Sequence, residues 1–235
     1  MRKLTNQEIE QLFNFTRQHY VEHYDVQVEL VDHLANAIEA QWNENPNISF
    51  DNALQTEFKK FGIFGFTGLV EQKQNELQKH YNKMLWNEVL KFVSIPKVIL
   101  TTVLYIGIFF FLKKMGSLGE TVLLSLLVLS FFYIAIDGFR FMFKIKREQK
   151  RKKRSWLIQS VAQTLFSLPI IGFSGMYFNM FLRIFETKKG LSTLGMHFLT
   201  LFVLLDFITI YVFFSVIKPR LLQSINETEQ KFQLV

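Results

Sequence analysis

Four long apolar runs, at about residues 92–112, 121–143, 155–182 and 194–217, constrain this chain more than any other feature of it. A helix rises 1.5 Å per residue, so each run approaches or exceeds the roughly 20 residues that cross a hydrocarbon layer about 30 Å thick. Helices that are apolar all round and this long have no stable place at the surface of a water-soluble domain. Hydrophobic residues make up 49% of the chain, enough to clothe four spans and still furnish a small soluble core. The expectation is an all-α membrane protein. A small N-terminal helical domain with an interfacial connector fills residues 1–91, a four-span bundle fills 92–218, and a tail follows over 219–235.

Charge is divided unevenly between these parts. Residues 1–91 carry nine Lys/Arg against thirteen Asp/Glu, a net of −4, and residues 92–235 carry eighteen against seven, a net of +11. The excess is concentrated between the second and third runs, in Lys144, Lys146, Arg147, Lys150, Arg151, Lys152, Lys153 and Arg154, opposed only by Glu148. Basic residues near span ends are retained in the cytoplasm. With this segment inside, four spans put both termini inside and the connections Lys113–Glu120 and Glu186–Ser192 outside. The first fifteen residues are interrupted by Glu8, Glu10 and Gln11 and are not expected to act as a secretory signal. With no cysteine in the chain, disulfides and thiolate metal sites are excluded.

Beyond fixing orientation, the basic segment has three further readings. It can attract anionic headgroups, at about 1 kcal/mol per residue near the surface. It can dock against the acidic N-terminal domain, which shares its compartment. Nucleic-acid binding is disfavoured, because the segment is short and its nearest aromatic, Trp156, suits a membrane-interface belt.

The N-terminal segment reads as four helices. Thr5-Asn-Gln-Glu8 is a capping box, in which hydroxyl and carboxylate satisfy the free amides of a first helical turn. Ile9, Leu12 and Phe13 then form an apolar stripe. A second helix from near Asp25 places Leu30, Val31, Leu34, Ile38 and Trp42 at helical spacing. Ser49 or Asp51 caps a third, ending at Gly62, and a fourth starts near Thr67 and breaks at Ser94-Ile-Pro96. Tyr81 to Phe92, with Trp86 and several lysines, suits an interfacial connector.

The run Tyr24-Asp-Val-Gln-Val-Glu29-Leu-Val-Asp32-His33-Leu-Ala-Asn-Ala-Ile-Glu39 resembles the second helix of HAAS-type domains. Ser49-Phe-Asp-Asn-Ala-Leu54 and Phe61-Gly62-Ile-Phe-Gly65-Phe resemble the helix, glycine turn and fourth helix that close them, although Ile63-Phe64 lacks the proline usual after that turn. The resemblance covers about residues 5–75. It implies a small helical module at the cytoplasmic N-terminus of a bacterial multi-pass membrane protein, of a kind often encoded beside PadR-type regulators and associated with signalling.

Glu29, Asp32 and His33 are candidates for contacts of this domain with a partner. Glu29 and His33 share a helix face four residues apart, a spacing metal sites use, but zinc signatures add a third ligand at fixed spacing. None follows, so no metal or cofactor is expected and a solvated face with charge pairs is the simpler reading.

Ionisable groups within a span are costly and mark function by default. Asp137 is expected to pair with Arg140, one turn on. Asp206 sits near mid-depth of the fourth run, and Gln159 and Gln163, on one face of the third, are its expected partners. Asp206 then acts as interhelical glue, as a proton or cation site, or as a contact to another protein's span. Gly172-Phe-Ser174-Gly175 matches the motif of rhomboid-type intramembrane serine proteases, with His197 on the next span. A Ser–His pair must reach hydrogen-bond distance, however, and the two residues lie at different depths. The expected function is therefore a non-enzymatic regulatory or accessory membrane protein that binds a protein partner and anionic lipid. A small transporter or channel-like subunit using Asp206 and Gln163, possible as a homo-oligomer, is the alternative.

Overall fold

The structure is a computed structural model that describes residues 2–186 and 191–233 and is helical throughout, with no strand among the described residues. The helices are α1 (Asn6–Gln18), α2 (Tyr24–Glu44), α3 (Phe50–Lys59), α4 (Phe66–Leu90), α5 (Lys97–Met115), α6 (Ser117–Lys152), α7 (Leu157–Glu186), α8 (Thr193–Val212) and α9 (Lys218–Gln233). A π-helical segment, Phe213–Ile217, joins the last two. The chain divides into two units. The first holds Met1–Gln78, Arg147–Val161 and Ser224–Val235; the second holds Lys79–Lys146 and Ala162–Gln223.

In the first unit, helix ends fall where the caps predict. The Thr5 amide donates to the Glu8 carboxylate at 2.8 Å and the Glu8 amide donates to the Thr5 hydroxyl at 3.2 Å. Ser49, rather than Asp51, caps α3 by accepting the Asn52 amide. The apolar stripe of α2 closes the core: Val26, Leu30, Leu34, Ile38 and Trp42 are buried with Leu12, Val21, Leu54 and Phe66. Burying one such side chain contributes about 1.5–3 kcal/mol. Leu157, from the start of α7, belongs to the same core.

In the second unit, Leu112 of α5, Leu123, Leu124 and Leu127 of α6, Tyr177 of α7, and Leu199 and Val203 of α8 pack together. A Cβ on Gly138 would lie 2.9 Å from Ile170, so this glycine lets α6 and α7 approach closely. The outward faces stay apolar: Val103, Phe110, Leu129, Phe132, Phe139 and Phe198 are all exposed. Four helices are long and apolar enough to cross a membrane, and at most 28% of any span's most apolar window is buried within the protein. Water would not tolerate that surface; lipid does.

Two expectations of the sequence are corrected. The first span starts at Lys97 rather than near residue 92, because Ser94-Ile-Pro96 separates α4 from α5. The basic segment is not a loop. Lys, Arg, Glu and Gln are strong helix formers, so α6 continues through Lys144–Lys152 and the turn is confined to residues 153–156, where Lys153 has φ +50°. Within the expected tail, residues 219–233 belong to helix α9, which buries Leu221 and Ile225. The expected outer connection Glu186–Ser192 falls mostly outside the described residues.

Candidate functional site

A polar ladder on α6 ties the membrane helices together. Its rungs are Glu120, Ser130 and Asp137, which at 1.5 Å per residue lie about 15 and 10 Å apart along the helix, nearly the thickness of a hydrocarbon layer. Glu120 is 1% exposed. It accepts from Arg183 of α7 at 2.8 Å and from the Leu191 amide at 3.2 Å. At the other end, Lys218, the first residue of α9, donates to both oxygens of Asp137 at 2.8 and 2.7 Å. The π segment just before Lys218 inserts an extra residue into the helical ladder, the kind of register shift that recurs at functional sites.

The middle rung contains the half-buried Asp206 of α8. Its Oδ2 accepts from the Ser130 hydroxyl at 2.8 Å, and its Oδ1 accepts from the Tyr177 hydroxyl of α7. Phe131 stacks on Tyr177 with ring centroids 4.8 Å apart, and Leu127 and Val203 close the apolar surround. One carboxyl thus joins three helices, each of its oxygens satisfied by a hydroxyl. Such an arrangement offsets the cost of taking the carboxyl out of water, and it keeps a titratable group with spare lone pairs inside the bundle.

The expected partners are corrected accordingly. Asp206 is bound by hydroxyls rather than by Gln159 or Gln163. Gln159 accepts from Gln149 at 3.0 Å and from the Trp156 amide at 3.1 Å, while the buried Gln163 Nε2 has no hydrogen-bond partner among the described residues. Asp137 pairs with Lys218 and not with Arg140, which is exposed. A lysine arriving from another helix at the same depth competes better than an arginine that can reach water. Ser174 donates to the Ile171 carbonyl of its own helix at 2.8 Å, and His197 meets the Tyr105 hydroxyl at 2.6 Å with Phe109 stacked on its ring.

A second candidate lies in the first unit, where the turn before α2 meets the turn before α7. The Tyr24 amide donates to the Ser155 carbonyl and the Ser155 hydroxyl to the Glu22 carbonyl, both at 2.8 Å. The Asp25 carboxylate accepts the amide of Leu157 at 3.2 and 3.3 Å. That amide belongs to the first residue of α7, so Asp25 caps a helix far from it in sequence. Tyr24 packs edge-on against Trp156, Trp156 stacks on Phe232 of α9, and the Arg154 guanidinium lies 4.0 Å from the Tyr24 ring centre. Burial pushes the Asp25 carboxyl above its ordinary value, with the Leu157 amide and His23 pulling against it, and burial pushes His23 below its own.

The acidic domain therefore meets the end of the basic segment and the turn after it in this unit, through the Arg154 contact with Tyr24 and the backbone bonds of Ser155 and Leu157. Of the basic residues, Lys152 pairs with Glu229 at 2.6 Å. Lys153 and Arg154 line a cleft of about 720 Å³ with Arg17, Phe13, Ile9 and Glu22. Lys144, Lys146, Arg147, Lys150 and Arg151 are exposed along the end of α6. Glu29 pairs with Lys73 of α4 at 2.6 Å, His33 sits edge-on to Phe61, and Asp32 is exposed. The sequence reading missed Ser130, Tyr177 and Lys218. Matching depths along antiparallel spans is the signal that could have found Lys218, whereas nothing local marks Ser130 or Tyr177 among the other hydroxyls.

No family model matches this chain, and neither a curated protein nor a solved structure matches it.

Proposed function

We propose that this chain is a non-enzymatic regulatory or accessory protein of the bacterial cytoplasmic membrane. Both termini face the cytoplasm, and the N-terminal helices bind a protein partner. The observation that carries the reading is the Asp25 cap on α7. Through it, a partner bound on the exposed α2 surface around Asp32 and His33 acts on the start of the helix that also carries Tyr177, one of the two ligands of Asp206. The resemblance of Tyr24–Glu39 and Ser49–Phe66 to HAAS-type domains supports the bacterial, cytoplasmic and signalling parts of the proposal. The exposed cations of α6 support the orientation and a contact with anionic headgroups.

The test is purification of the full chain in mild detergent. A stoichiometric protein partner, lost on charge reversal at Asp32 and retained in Asp206→Asn, is the expected result. A chain that purifies alone and binds nothing in its membrane contradicts it.

The Asp206 rung favours a second reading, a small transporter or channel-like subunit, because a titratable carboxyl at mid-depth can hold a proton or cation. Proton or cation flux in liposomes that is abolished by Asp206→Asn would establish that reading and displace the first.

A further inference from the structure

The turn between α3 and α4 carries two apolar side chains that the core does not take. Ile63 is fully exposed and Phe64 is 79% exposed, whereas Phe61 and Phe66 on either side of them face each other, ring centres 4.8 Å apart. Hydrogen bonds fix the shape of this tip. The Gly65 amide donates to the Gly62 carbonyl at 3.2 Å, and the Thr67 amide donates to the Phe64 carbonyl at 3.2 Å. Gly62 and Gly65 adopt φ +74° and +53°, a conformation that side chains with a Cβ resist. Gly65 also sits so close to Phe58 that a Cβ there would lie 3.0 Å from its ring. Behind the tip, Phe15, Phe58, Phe61 and Phe66 form a continuous aromatic base.

The charged residues next to the tip in sequence are basic. Lys59 and Lys60 precede it, and no acidic residue occurs from Phe58 to Val70. Lys60 reaches back to the buried Glu57 at 2.7 Å yet leaves 66% of its side chain exposed. An apolar pair beside lysines matches a bilayer interface. The rings and branched chains enter the acyl boundary, while lysine stems lie along it and their ammonium groups reach the phosphates. A protein pocket would have to come from another chain, whereas the chain's own spans tether this unit to a bilayer.

We infer that Ile63 and Phe64 insert into the interfacial layer of an anionic lipid surface, with Lys59 and Lys60 contacting its headgroups. The inference rests on the membrane spans and not on Asp206 or on any protein partner.

Because the chain has no cysteine, the full-length protein in vesicles can be labelled at one position at a time. Phe64→Cys is labelled with an environment-sensitive fluorophore, and Asn47→Cys, on an exposed loop, is the comparison. The vesicles contain two parts zwitterionic to one part anionic lipid. The expected result is blue-shifted emission at 64, quenched by brominated lipid and shielded from iodide, with emission at 47 behaving oppositely. Lys59→Glu in the Phe64→Cys background should reduce the lipid quenching in anionic vesicles and leave it unchanged in purely zwitterionic ones. Equal iodide quenching at 64 and 47 would overturn the inference. So would a label at 64 shielded from both quenchers, since a protein surface would then be covering the tip. Both native side chains are exposed, so the substitutions remove no core packing.

Discussion

Replacing Asp25 by Ala removes the cap that joins the N-terminal helices to α7, and the structure sets the size of the effect. The amide it leaves behind belongs to Leu157, which is 7% exposed, so water cannot readily replace the carboxylate. An orphaned buried N–H costs about 1–3 kcal/mol. Part of that is returned, because the Asp25 carboxyl is itself held away from water, and burial raises it above its ordinary value. A net loss of about 1–2 kcal/mol follows, equivalent to roughly a 5- to 30-fold rise in the population of the opened junction. Hydrogen exchange followed by mass spectrometry on the full chain in nanodiscs reads this directly. Peptides covering residues 22–30 and 154–160 should exchange faster by that factor, while peptides around Leu123–Leu127 should not change. Asp25→Asn, which keeps an acceptor, should fall between the two. Unchanged exchange at Leu157, or faster exchange everywhere, would refute the capping argument.

Other outcomes follow from the same geometry. Burial pushes the His23 imidazole below its ordinary value, with the Asp25 and Glu22 carboxylates opposing that shift. Its contribution is present above its ordinary pKa near 6.5 and is lost as pH falls through the lower folded value. The junction should therefore loosen on acidification from about pH 7.5 to 5.5, and His23→Asn should flatten that response in the same exchange experiment. Asp137→Ala strands the Lys218 ammonium in a span. Because both groups keep about a quarter of their surface exposed, the cost should be about 1–3 kcal/mol rather than the larger value for a fully buried pair. A lower melting temperature in detergent, restored by the double change Asp137→Ala and Lys218→Met, would show it. Asp206→Asn keeps an acceptor for Ser130 or Tyr177 and should melt close to the parent, whereas Asp206→Leu takes the acceptor from Tyr177, while Ser130 can still donate to the Leu127 carbonyl at 2.8 Å, and should cost about 1–3 kcal/mol. Equal melting of the two variants would remove Asp206 from any structural role.

Much of the architecture was legible because it rests on local signals. Thr5 and Glu8 stand at the spacing a capping box requires, Leu30 to Trp42 repeat at helical period, and the four apolar runs are both long enough to cross a bilayer and apolar on every face. Boundaries were less legible where charge and helix propensity disagree. Lys144–Lys152 reads as a connection by polarity but is strongly helix-forming, and propensity prevailed. The side-chain partners were the least legible. Pairing Asp137 with Arg140 considered only the same helix, and pairing Asp206 with the glutamines misjudged depth: Tyr177 lies on nearly the same face of α7 as Gln163 but about 21 Å further along the helix. The Asp25 cap was invisible because its acceptor and donor are 132 residues apart.

The measurement closest to the centre of this account is the sidedness of four single cysteines in the cysteine-free chain, probed with a membrane-impermeant maleimide in sealed, oriented vesicles. With four lipid-solvated spans, Asn47→Cys, Lys150→Cys and Gln230→Cys should react from one face and Lys114→Cys only from the other. Reaction of positions 47 and 150 from opposite faces, or of 114 together with 47, would contradict it.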